Sequence, residues 1–147
     1  MKKKLVSCII FIVIAVSIIT VTFMLFGQNG NTTDVNRVVG TSALYDKELI
    51  SKAFDAVETK FATDFKGCTL TELRYDTEVE TEFIAEMQQY KEINKRDFII
   101  VLSNFKTDWR ARDLGLIPNE TYTDWSWSLV QVDERQVWEV VEGGWGY

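Results

Sequence analysis

Hydrophobic positions fall along this chain in several distinct rhythms. From Leu5 to Phe26 they run almost unbroken for 22 residues, without a charge. As a helix that run is roughly 33 Å long, enough to cross the hydrocarbon core of a bilayer. Further on, Ile50, Ala53, Phe54, Val57, Phe61 and Phe65 recur three or four apart. That spacing predicts an amphipathic helix, with Asp46 as N-cap and Gly67 near its end. Val79, Phe83, Met87 and Tyr90 repeat the spacing and predict a second helix over 78–92.

Other stretches alternate or run at strand length. Thr71, Leu73 and Tyr75 share one side of a short strand from Thr69 to Tyr75. Asp97 to Phe105 contains the run FIIVL, which reads as a buried strand. Thr121 to Val132 reads as a long strand with Trp125, Trp127 and Leu129 on one face. A turn at 133–135 returns the chain as a hairpin partner, Val137 to Glu142. Between the strands, Thr107 to Glu120 reads as a loop holding Pro118, the one proline. Helix, strand, helix and three late strands predict an α+β domain: a curved antiparallel sheet covered by helices.

The polar run GQNGNTTDVNRVVGT at 27–41 has three glycines and no apolar period, so it reads as a tether. The expected organisation is therefore Lys2–Lys4 and a transmembrane anchor within 1–26, a polar linker at 27–44, and a folded domain at 45–147. Lysines before the apolar run hold that end in the cytoplasm, so the domain faces outward. The run exceeds the apolar core of a secretory signal, and no small-x-small cleavage site follows it. Leu5-Val6-Ser7-Cys8 has the look of a lipobox, but it precedes the apolar run instead of following it. An uncleaved anchor is the expectation, with Cys8 a small apolar residue within it.

Charge narrows the partners. All 22 acidic residues and 13 of the 16 basic ones lie beyond the anchor, a net charge of −9 outside it. Nucleic acid needs a basic surface and is excluded as a partner. Cys68 is the one cysteine beyond the anchor, so the domain holds no internal disulfide, and burial is its expected state. The absence of histidine removes Ser-His-Asp, Cys-His and Cys/His zinc chemistry. Carboxylate chemistry survives. Asp76, Glu78, Glu80 and Glu82 are dense, but they match no calcium loop and suit the start of a helix. No cofactor or metal site is expected.

Two constellations remain as candidate contacts. Trp109, Arg110 and Arg112 stand in the long loop, where two arginine forks would clamp an anionic group; a solvated loop is the plainer reading. Trp125 and Trp127 would offer rings to a sugar or an apolar ligand, or would simply fill the core below the first helix.

The run Asn119-x-Thr121-Tyr122-Thr123-Asp124-Trp125-x-Trp127-x-Leu129-Val130, then Trp138-x-Val140 and Trp145-Gly146-Tyr147, resembles a family of small extracytoplasmic domains from Gram-positive, Clostridia-type bacteria. Gly67-Cys68-Thr69-Leu70-Thr71-Glu72-Leu73 is similar to the same family. The resemblance spans roughly 45–147 and implies a nuclear transport factor 2-like or cystatin-like roll. Some similar proteins are fused to membrane metallopeptidases, but their His-Glu-x-x-His motif is missing from this chain. The resemblance assigns no activity. The expectation is a membrane-anchored, non-enzymatic binding or sensing module with a cell-wall or membrane-protein partner. The alternatives are an enzyme of that fold using Asp/Tyr acid–base chemistry, or a structural subunit of a membrane complex.

Overall fold

The computed structural model describes residues 29–132 and 137–145 of the chain. The expected anchor at 5–26 and the turn at 133–135 lie outside the described residues. Among the described residues no helix is long and apolar enough to cross a membrane.

Five strands and two helices follow one another as β1 (Asn36–Val39), α1 (Lys47–Asp64), β2 (Cys68–Tyr75), α2 (Thr77–Asn94), β3 (Phe98–Thr107), β4 (Thr121–Gln131) and β5 (Trp138–Trp145). A short 3₁₀ helix, Trp109–Leu114, stands between β3 and β4. The strands lie side by side in chain order, so β1 and β5 are the two edges of one sheet. The α+β expectation is met. The sheet is mixed, however, rather than purely antiparallel: β2 to β5 form an antiparallel meander, and β1 joins β2 in parallel.

That strand also changes the reading of 27–44. Its described part packs on the domain instead of hanging free. Gly30 and Asn31 donate backbone bonds to Ala62 and Cys68, and Gly40 donates one to Tyr75. Arg37 forks onto Glu58 and also reaches Asp55, both on α1. Polarity misleads here because an edge strand of four residues buries little side chain.

α1 forms where the apolar spacing places it. Asp46 accepts from the Leu49 amide at 2.8 Å, which satisfies one of the free N–H groups of the first turn. Ile50, Ala53, Phe54, Val57 and Phe61 are buried on its inner face. Phe61 and Phe65 meet Phe105 and Trp127 in edge-on and tilted contacts. Fully burying each such side chain stabilises the fold by roughly 1.5–3 kcal/mol. α2 starts at Asp76, which caps Glu78 and Val79, and near its end stacks Tyr90 on Phe98 of β3. Phe98 to Leu102 are all buried, so both faces of β3 are covered. This is the physical cause of the unbroken FIIVL run.

Candidate functional site

The expected contacts do not converge. Trp109 is 72% exposed on the 3₁₀ helix and makes no ring contact among the described residues. Arg110 turns back on Asp108, with Nε and Nη2 forked over its carboxylate at 2.6–3.2 Å. The same carboxylate caps the Arg110 amide, so the 3₁₀ turn itself delivers the partner. The Arg110 hydrogen bonds hold the Asp108 carboxyl below the usual carboxylate range, against the opposing pull of burial. Gly67, with φ +77, lets this turn sit close: a Cβ there would lie 2.7 Å from Asp108 Oδ1. Arg112 is exposed and has no ion-pair partner among the described residues. The two arginines therefore make no joint anion clamp.

Trp127 is 1% exposed and belongs to the core. Its indole N–H donates to Ser103 Oγ at 2.8 Å. Trp125 sits half-buried against Phe65, Phe105 and Tyr122, and its indole N–H is buried without a partner among the described residues. Cys68 is buried and free, as expected. Burial and the Asp108 charge push its thiol up to about 11, which leaves little thiolate for reaction.

One cavity among the described residues lies elsewhere, between the flank of α1 and the edge strand β5. Its volume is about 620 Å³. Lys52, Ala56, Thr59 and Thr63 recur three or four apart along the helix wall, with Lys60 beside Thr59. Thr59 and Thr63 donate their hydroxyls to the carbonyls of Asp55 and Thr59, one turn back. Their methyl groups are then the free ends, so with Ala56 they make a small apolar strip between the charged side chains Lys52, Asp55, Lys60 and Asp64. The charges at its rim are mostly matched: Lys60 with Asp64 at 2.7 Å, Lys52 with Glu48 at 3.1 Å, Asp55 with Arg37 at 2.7 Å.

The strand wall is formed by Val137, Trp138, Glu139 and Val140. Trp138 is pinned by its indole N–H, which donates to the Leu49 carbonyl at 3.0 Å. An adjoining recess of about 190 Å³ shares Lys60 and Val140 with the groove and reaches Phe65, Trp127 and Gly143. Gly143 opens this recess, since a Cβ there would press on the Trp127 ring at 3.0 Å. Periodicity showed the core face of α1, but which strand lies beside its Ala56–Thr59–Thr63 flank is a long-range fact. The only local signal was that flank's small side chains.

The buried carboxylate lies apart from the groove. Glu80 is 5% exposed and accepts from the Ser42 hydroxyl, the Ala43 amide at 2.9 Å and the Tyr75 hydroxyl at 2.9 Å. Burial pushes its pKa up, but the hydrogen bonds together outweigh it, and the carboxyl stays below its ordinary value. Burial and this carboxylate push the Tyr75 phenol up in turn. Among the described residues no cluster of acidic and cysteine side chains could hold a metal ion. Compared with known protein families, with curated proteins and with solved structures, the chain matches none.

Proposed function

We propose that the chain is a membrane-anchored, extracytoplasmic binding or sensing module, non-enzymatic, whose binding surface is the groove between α1 and β5. The observation that carries this reading is the meeting of that groove with an open edge of the sheet. A binding site needs concave surface with few charges free to interfere, and here most of the rim charges are already paired. The anchor rests on the uncharged 22-residue run behind Lys2–Lys4. The nuclear transport factor 2-like or cystatin-like roll and the Gram-positive family rest on the tryptophan-rich residues between 45 and 147 that carry the resemblance, and the α+β sheet is of the class such a roll needs. The partner is a cell-wall or membrane-protein component at the outer face.

The competing enzyme reading needs a buried acid with a raised pKa. Glu80 is buried but held ionised, and the phenols of Tyr45 and Tyr75 are pushed away from neutrality. Those shifts suit structure better than proton transfer.

The test uses the full chain in intact Gram-positive cells. A photo-reactive residue at Thr59, in the groove, is expected to give a defined adduct. The same residue at Thr81, exposed on α2, is expected to give none. In parallel, Thr81→Cys is expected to take a membrane-impermeant maleimide from outside, while buried Cys68 does not. Identical adducts at both positions, or no adduct at Thr59, overturn the groove reading. Labelling of Thr81→Cys only after lysis overturns the location.

A further inference from the structure

The two edges of the sheet differ. β1 is four residues long, and its Arg37 is held by Asp55 and Glu58. β5 is eight residues long, and its outer side makes no strand pairing among the described residues. An open edge of that length presents a row of free amides and carbonyls, a template for another strand. The register with β4 fixes what each face of that edge shows. Gln131 opposes Trp138 and Leu129 opposes Val140, so these two face the side of α1 and the groove. Val130 opposes Glu139, which borders the groove at the strand edge but belongs by register to the other face. The register then slips at Val141, which is left as the extra residue, and Glu142 comes opposite Ser128. Ser128 and Val130 share a face, so Glu139 and Glu142 do too. Both carboxylates are exposed and unpaired among the described residues.

We propose that the edge of β5 takes up an extended polypeptide segment of a partner as an added strand, basic on one face and apolar on the other. Lysine or arginine side chains of that segment meet Glu139 and Glu142. Its alternate side chains, small and apolar, enter the groove between Val140, Ala56, Thr59 and Thr63. A second copy of this chain is a poor occupant. Pairing two β5 edges would set four carboxylates on one face of adjacent strands about 4.8 Å apart, where like charges destabilise. The inference rests on the proposed groove and names the chemistry of its ligand.

The probe is a fluorescent, end-capped peptide of alternating valine and lysine, titrated by anisotropy against the full chain in zwitterionic nanodiscs. Expected is saturable binding that weakens at least tenfold in three ways. The first is rearrangement of the same residues into a valine block and a lysine block. The second is N-methylation of alternate amides in one of the two phases. The third is Glu139→Lys with Glu142→Lys, exposed changes that leave the core intact, after which a valine–glutamate peptide should bind better. Thr59→Trp, which fills the groove, should also weaken it. If the block peptide or both N-methylated peptides bind within twofold of the alternating one, the contact is charge adsorption and the added strand is wrong. If the alternating peptide does not bind while the Thr59 adduct persists in cells, the peptide class falls and the groove reading stands. Loss of both removes both.

Discussion

Trp125 and Trp127 stand two residues apart on β4 and end differently. Trp127 is fully buried with its N–H satisfied by Ser103, whereas the Trp125 N–H has no partner among the described residues. A buried donor without an acceptor costs about 1–3 kcal/mol, and removing it recovers that cost. Trp125→Phe therefore loses ring area but sheds an unpaired donor, while Trp127→Phe loses area and a buried hydrogen bond to Ser103, whose hydroxyl keeps its own bond to the Trp125 carbonyl. Urea unfolding should find Trp127→Phe less stable than Trp125→Phe by about 1–2 kcal/mol; equal values would mean that the Trp125 N–H is in fact satisfied. Glu80 makes a pH-dependent case. Its folded pKa lies below its ordinary value of 4.5, so its share of stability is present above that value. That share is lost as pH falls through the lowered folded value. Glu80→Gln cannot titrate. Its melting temperature should be lower than wild type at pH 7, by an amount corresponding to about 2 kcal/mol, and the gap should narrow once pH falls below 4.5 and close as it passes through the lowered folded value. A gap that is constant from pH 7 to pH 3 would show that the ionised form is not what the Ser42, Ala43 and Tyr75 contacts hold.

Among the elements, those that bury a regular face were legible in the sequence. α1 follows from Ile50, Phe54, Val57 and Phe61, and observed α2, Thr77–Asn94, lies within two residues of the expected 78–92. β3 follows from a run that only a strand covered on both sides would carry. β1 and the 3₁₀ helix were not legible. β1 is four residues whose partner lies 36 positions away, and its burial is too slight to leave a period in the sequence. The 3₁₀ helix buries only Ala111, so its turn chemistry, Asp108 before and Gly115 after, is the whole of its signal. The segment before Tyr45 thus belongs to the domain, and this has a measurable consequence. Removing residues up to 44 deletes β1, the Arg37 forks, and two of the three groups bound to Glu80. A chain beginning at 45 should be less stable than one beginning at 29 by about 3 kcal/mol or more, since a buried carboxylate would be left mostly unpaired. Gly40→Ala should act in the same direction, because a Cβ there would collide with Asp76. If both shortened chains melt together, 29–44 is a linker after all.

At the scale of the molecule, charge and edge act on the same event. The chain beyond residue 26 carries −9, and Glu139 and Glu142 set part of that charge along the open edge of β5. A long-range negative field speeds the arrival of a basic segment but holds it weakly once bound, because screened surface pairs are each worth little. Retention would come instead from backbone hydrogen bonds along β5 and from side chains in the groove, and neither depends strongly on salt. Arrival and retention should therefore separate in a kinetic experiment. Raising sodium chloride from about 0.05 M to 0.5 M shortens the screening length from roughly 14 Å to about 4 Å. In stopped-flow measurements with the alternating valine–lysine peptide, the association rate should fall about tenfold or more, while the dissociation rate changes less than about threefold. Neutralising Glu139 and Glu142 to Gln should flatten the salt dependence of association only in part, because the remaining acidic surface still contributes to the field. If dissociation quickens with salt as much as association slows, the two glutamates are the grip rather than the guide. The edge of β5 would then be bystander to a purely ionic contact.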